Sequence, residues 1–294
     1  MDKQFDSKKI KKIGIISKRD FSDKKIVEKT VKYLEKKGKE VHLDENLSKL
    51  LGRGTGFKKE ILLNKVDMAV SLGGDGTLLK IARRHPRKHV PILGVNMGNL
   101  GFLTETTPDR MFKVLDEVFA NRCRVDRRTI LRITLYRNEK KHSTYLSLND
   151  AVINQGSFAR LIQIRIEINQ RLVVRFRGDG LIVSSPTGST AHSLSAGGPI
   201  VHTGVPGIII TPICPSSLSM RPIVIPDDRQ ITIFIETERR QESEYIALTL
   251  DGQESIPLKF GDELKIRKSH RVMQLIREGS RYYKMLRNKL NWGE

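Results

Sequence analysis

The chain has 294 residues, of which 38% are hydrophobic and 29% charged, and a formal net charge of +20. Its length corresponds to about two domains, large enough to bury roughly three quarters of the unfolded surface without disulfide or metal staples. Only two cysteines occur, which excludes a disulfide framework and fits a reducing compartment. The opening stretch MDKQFDSKKIKKIGII lacks the sustained apolar core of a signal peptide. No apolar run approaches the roughly 20 residues of a membrane span, so a cytoplasmic protein is expected. The positive charge is dispersed ("SKKIKK", "LEKKGKE", "ARRHPRKH", "RNKL") rather than gathered in one tail. It reads first as solvated helix faces, with attraction of anionic metabolites or nucleic acid as the functional alternatives.

In chain order, "KIGIIS" (12–17) predicts a buried strand. Ile26, Val27, Val31 and Leu34 then fall at helical spacing, with Gly38 as the stop. A short strand is expected over 41–43. A second apolar strand, "VDMAVSL", runs into glycines at 73–76, after which Leu78, Leu79, Ile81 and Ala82 begin a helix. "VPILGV" from Val90 is another strand. Thr107 and Pro108 read as N-cap and first residue of a helix carrying Met111, Val114, Leu115, Val118 and Phe119. Strands alternating with helices imply a parallel sheet covered on both faces, a Rossmann-like α/β domain assigned to residues 1–125. From 126 to 270 the pattern changes to period two: "ILRITLYR", "LIQIRIEIN", "RLVVRF", "QITIFIE" and "ELKIRK". That predicts an all-β, sandwich-like domain. Residues 271–294 return to helical spacing through Tyr282, Met285, Leu286 and Leu290, a tail expected to pack back onto the first domain.

Two glycine-rich stretches compete for a phosphate. "GRGTGFKK" from Gly52 follows no clear strand and lacks the terminal Gly-Lys-Ser/Thr of a phosphate loop, so it reads as a mobile loop. "SLGGDGTLLK" (71–80) has a strand before it and a helix after it. Amides of a first helical turn favour an anion, and Gly73, Gly74 and Gly76, with Thr77, let one approach the backbone. Asp75 sits badly beside a phosphate alone. It makes sense if it orients an attacking hydroxyl and takes its proton, with magnesium carried in on the donor offsetting the negative charge. The plainer alternative is a tight turn with Asp75 capping the helix.

"GGDGT" on such a turn resembles the superfamily of NAD kinases, lipid kinases and 6-phosphofructokinases. "GVNMGNLGFLTE" (94–105), "LNDAVIN" (148–154), "FRGDGLIVSSPTGSTAHSLSAGGPIV" (176–201) and "LTLDGQE" (248–254) are similar, in order, to motifs of bacterial NAD kinases over nearly the whole chain. The resemblance implies transfer of a phosphate from ATP, or from polyphosphate, to the 2′-hydroxyl of the adenosine ribose of NAD. It makes Asp75 the proton acceptor and 126–270 a dinucleotide-binding domain. Carried over residue by residue, the dinucleotide contacts are Asp75, Gly76, Asn149, Asp150, Asp179, the run Thr190, Ala191, His192, Ser193, Leu194, Ser195, and Gln253. Lys80, Arg160 and Arg177 match more variable positions. No metal site built from protein ligands is expected, nor a membrane or nucleic-acid partner; a homo-oligomer, dimer or tetramer, is.

Taken alone, these residues leave plainer readings open. Asn149–Asp150 makes an Asn-Asp turn as readily as a partner for sugar hydroxyls. The 184–198 loop is a long connector or an adenine site, and Asp179 a turn former or a carboxamide acceptor. One departure stands out: the family usually has tyrosine after Thr-Ala, where this chain has His192. An imidazole there predicts dinucleotide affinity that weakens as pH falls through about 6.5. A lipid kinase would share the glycine loop but not the later motifs. A nucleic-acid binder would need interleaved aromatics that the strands lack.

Overall fold

The computed structural model describes residues 6–84, 89–156, 161–237, 246–279 and 282–293. The chain divides into two compact units, 1–127 with 273–294, and 128–272.

The first unit alternates strand and helix: β1 (Lys12–Ser17), α1 (Lys24–Lys36), β2 (Glu40–Leu43), α2 (Glu45–Leu51), α3 (Lys59–Lys65), β3 (Met68–Gly73), α4 (Asp75–Arg83), β4 (Pro91–Asn96) and α5 (Pro108–Phe119). The strands pair in parallel in the order β2-β1-β3-β4. Nearly every residue of β1, β3 and β4 is buried, as a sheet covered on both faces requires. One face packs Ile13, Ile15, Val70 and Leu93 against Val27, Val31 and Leu34 of α1 and Met111, Val114 and Leu115 of α5. On the other, Leu62 of α3 lies so close to Gly14 that a Cβ would sit 3.2 Å from its Cγ. Two short helices were absent from the expectation. Asp44 caps α2 by accepting from the Leu47 amide, and Gly52 ends it in the left-handed region, both recognised stop and start signals. The stretch read as a mobile loop is tied at its far end. Phe57 lies opposite Asp44 in a parallel bridge, its amide donating to the Leu43 carbonyl and its carbonyl accepting from the Glu45 amide, both at 3.1 Å, and a Cβ on Gly56 would lie 2.5 Å from the Asp44 carbonyl.

Past α5 the chain becomes β-rich: β5 (Arg124–Arg137), β6 (Lys140–Ser147), β7 (Asp150–Asn154), β8 (Ile162–Ile168), β9 (Arg171–Gly178), β10 (Gly180–Ser184), then the one-turn α6 (His192–Ser195). It continues with β11 (Gly207–Ile213), β12 (Ile223–Pro226), β13 (Ile231–Ile235), β14 (Ile246–Leu250), β15 (Glu254–Leu258), β16 (Glu263–Arg277) and α7 (Tyr282–Leu290). In the second unit one sheet has the order β12-β11-β10-β7-β14-β15; β13 pairs with β8 and β16, and β8 with β9, in another. Ile153, Val183, Ile208 and Leu248 from the first sheet share a core with Ile164, Ile166, Ile233 and Leu264 from the second. This is the sandwich that period-two patterning predicts. The last residues of β16 belong to the first unit, where Gln274 and Leu275 pair in parallel with β4.

Candidate active site

In the first unit, the carboxyl end of β3 delivers the chain directly into α4. Gly74 is the N-cap, with extended backbone and no side-chain cap, and its carbonyl takes the amides of Thr77 (2.9 Å) and Leu78 (3.4 Å). The Thr77 hydroxyl is buried over Gly73 and leaves no room there for a Cβ. Gly76 and Lys80 are on the exposed side of the helix.

Asp75 is the first residue of α4 and reaches across to the loop that follows β4. Its Oδ2 accepts from the amides of Phe102 (2.8 Å) and Leu103 (3.2 Å). Its Oδ1 accepts from the Thr104 amide (3.1 Å) and the Thr104 hydroxyl (3.2 Å). These four donors match the roughly four acceptor positions of a carboxylate. Gly101 lies so near the carboxylate that any Cβ would collide with it. Thr104 is itself held: its Oγ1 accepts from the Asn96 side chain (3.2 Å) and the Gly101 amide (3.0 Å).

In the second unit the turn Ser147–Asp150 is organised by Asp251. The Asp251 Oδ1 accepts from the Ser147 hydroxyl (2.6 Å) and the amides of Asn149 (2.8 Å), Leu148 (3.1 Å) and Asp150 (3.3 Å). The Asp251 amide returns a bond to the Asp150 carbonyl at 3.1 Å. Asp251 and Gly252 both have positive φ, 51° and 64°, the Asp-Gly signature of a tight hairpin turn. Burial is the largest influence on the Asp251 carboxyl and pushes it above the usual carboxylate range, against the opposing pull of its donors.

The 184–198 segment stacks onto the same turn as an ordered structure. The Ser185 amide donates to the Asn149 carbonyl at 2.8 Å, and a Cβ on Gly188 would collide with that carbonyl. A 3-10 turn (Thr187–Thr190) leads into α6. Ser193 points inward, its Oγ 2.9 Å from the Thr211 hydroxyl, while Thr190 and Leu194 are half-buried and His192 and Ser195 exposed. The His192 Nδ1 lies 3.1 Å from Oδ2 of the fully buried Asp150. That hydrogen bond, followed by the charges of Asp150 and Asp251, holds the imidazole above its ordinary value despite partial burial.

The second unit thus gathers Asn149, Asp150 and His192, with Gln253 exposed two residues past Asp251. Asp179 is the residue between β9 and β10 and Arg177 lies near the end of β9, both against residues 213–216. The Asp179 amide donates to the Ile213 carbonyl (2.9 Å), and its carboxylate takes the Cys214 thiol. Arg177 is exposed and donates to Gln163 at 3.3 Å. Arg160 falls outside the described residues. Asp251 and Thr104 were missed as site residues. The Asp-Gly pair signalled a turn, yet nothing local showed which amides its carboxylate would collect. Among the described residues, no three or more His, Cys, Asp or Glu side chains converge on one point.

Residues 13–123 match the ATP-NAD kinase N-terminal domain and residues 148–278 the ATP-NAD kinase C-terminal domain. NAD kinase from Geotalea daltonii is 40% identical over 97% of this chain and 100% of its own length. Yeast NADH kinase, crystallised with NADH, superposes with a TM-score of 0.87 at 25% identity, covering 97% of this chain and 88% of its own. An NAD kinase from Archaeoglobus fulgidus in complex with ATP gives 0.72 at 26% identity, over 94% and 97% respectively.

Proposed function

The chain belongs to the ATP-NAD kinase family, and from that premise we propose that it phosphorylates NAD at the 2′-hydroxyl of the adenosine ribose, using ATP and releasing ADP and NADP. The observation that carries the mechanism is Asp75 at the head of α4, directly after a glycine turn that closes a parallel strand. The sugar oxygen attacks the γ-phosphorus in line, the bond from that phosphorus to the bridging oxygen of ADP breaks, and the hydroxyl proton passes to Asp75. Because its acceptor positions are filled, Asp75 must release one donor to receive a proton. The Thr104 hydroxyl is the one that can rotate away; the three amides are fixed in the backbone.

Gly73, Gly74, Gly76 and Thr77 shape the phosphate turn. Asn149, Asp150, Asp179, Gln253 and the Thr190–Ser195 run hold the dinucleotide, with Lys80, Arg160 and Arg177 as outlying contacts. A divalent cation, magnesium by preference, travels with the donor's phosphates and neutralises their charge. Inorganic polyphosphate is an alternative donor.

We also infer a homo-oligomer, because β9 and β12, the end strands of their sheets, expose Leu172, Val173, Ile223 and Val224. A cytoplasmic setting is supported by two free cysteines, the Cys123 thiol being pushed up to about 11 by burial. Among the described residues no helix is long and apolar enough to cross a membrane. Incubation with ATP, magnesium and NAD, read through an NADP-specific dehydrogenase, tests the activity: NADP accumulation is expected, and its absence with folded protein overturns the reading.

A further inference from the structure

The loop that wraps Asp75 is itself gripped from its other side. Arg277, the last residue of β16, has a side chain only 9% exposed. Its Nη2 donates to the Phe102 carbonyl (3.1 Å) and its Nη1 to the Thr104 carbonyl (3.2 Å) and to Glu105 Oε2 (3.1 Å). Its Nε reaches Asp126 at 3.4 Å. The other oxygen of Glu105 accepts the Glu278 amide at 3.0 Å. So in residues 102–104 the amides face the Asp75 carboxylate while two of the carbonyls face the guanidinium. The Phe102 carbonyl and the Leu103 amide belong to one planar peptide unit, so a shift of that carbonyl turns an amide that Asp75 accepts from. The Thr104 carbonyl lies in the unit after that of the Thr104 amide, and holding it fixes the far end of the same segment.

We propose that Arg277 is a positioning residue for Asp75, acting through the 102–104 backbone with Glu105 as its counter-ion. The inference rests on the reading of Asp75 as proton acceptor. A planar fork with several fixed donors can bridge two carbonyls and a carboxylate at once, which a lysine ammonium on a flexible stem cannot reproduce. A burial this costly for a charge fits a site where geometry is needed. Misplacing a reacting group by about 1 Å costs as much as 10²-fold in rate, and such a loss falls on turnover rather than on substrate binding.

The test uses the full-length enzyme with Arg277→Lys and Arg277→Ala, measured beside Asp75→Asn. Arg277→Lys is expected to lower kcat roughly tenfold, with KM for NAD and for ATP held within about twofold. Millimolar guanidinium should restore part of the kcat of Arg277→Ala, while equal ammonium should not. If Arg277→Ala does not fold, Arg277→Lys decides alone. A folded Arg277→Lys enzyme with wild-type kcat overturns the proposal. So does a loss in which kcat and both KM values move together without guanidinium rescue, since that is a purely structural role. Failure of the underlying reading looks different: Asp75→Asn would retain wild-type turnover, whatever Arg277 does.

Discussion

Asp75 and Asp251 are one device built in two settings. Each carboxylate collects amides from three consecutive residues, plus one hydroxyl: Phe102, Leu103 and Thr104 in the first unit, Leu148, Asn149 and Asp150 with Ser147 in the second. They differ in access. Asp251 is 5% exposed, and burial drives its carboxyl upward. Asp75 opens a helix, is only half-buried and leaves its neighbour Gly76 exposed. A wrapped carboxylate inside a protein organises a turn. In the mechanism we propose, the same wrapping at the lip of a glycine turn leaves a group that meets a reactant once a rotatable donor lets go.

The sharpest way to break this contrast is Asp75→Asn. Turnover in the NADP-coupled assay is expected to fall roughly 10²- to 10⁴-fold, with the urea midpoint little changed. Near-wild-type turnover would make Asp75 as structural as its counterpart. Next is Gly101→Ala, whose new Cβ collides with the Asp75 carboxylate. Its kcat should drop roughly tenfold or more, and an unaltered kcat would mean that the carboxylate's placement is immaterial.

Asp251→Ala should show the opposite signature. It strands buried amides and a hydroxyl, a loss of about 3 kcal/mol in urea unfolding, together with a raised KM for NAD. Asp251→Asn, which tolerates the left-handed backbone and still offers an oxygen, should lose less. Equal losses would show that the turn requires the negative charge of the carboxylate, rather than an oxygen acceptor or relief of the left-handed backbone.

The smallest effect concerns His192, faced by Asp150 and, at longer range, Asp251. Its raised folded value moves the expected pH window above 6.5. The pair's contribution to stability is complete below about pH 6.5 and is lost as pH rises through the raised value. In that same acidic range Asp150 is engaged by the imidazolium and less available to a ligand. Affinity for NAD, measured by calorimetric titration across pH, should therefore weaken as pH falls through a window above 6.5. His192→Tyr should flatten that profile; an unchanged profile in the variant removes His192 from the site.

Much of this was readable in the chain. Long periodic segments such as α1 and α5, and the alternating strands of the second unit, carry their burial pattern in their own spacing. The glycine turn at 73–77 and the 148–150 turn were readable because the chemistry expected there demands particular residue types in contiguous order. The seven-residue helices α2 and α3 were not, despite the cap at Asp44 and the stop at Gly52. Helices so short are marginal alone, and packing of Leu47, Leu62 and Leu63 sustains them. The loop at 52–58 looked loose until pairing of Phe57 with Asp44 tied its end.

By itself, then, the amino-acid order determined the long strands and helices, where the glycine turn between β3 and α4 lies, and which family's motifs are present. Only the tertiary structure decided that Asp251 organises the Asn149–Asp150 turn, that His192 meets Asp150, and that Arg277 grips the loop around Asp75. The Asp251 and Arg277 partners lie 101–175 residues apart along the chain. A hydrogen bond at that separation leaves no periodicity in either segment: it exists only after both have been packed, by their apolar faces, into place.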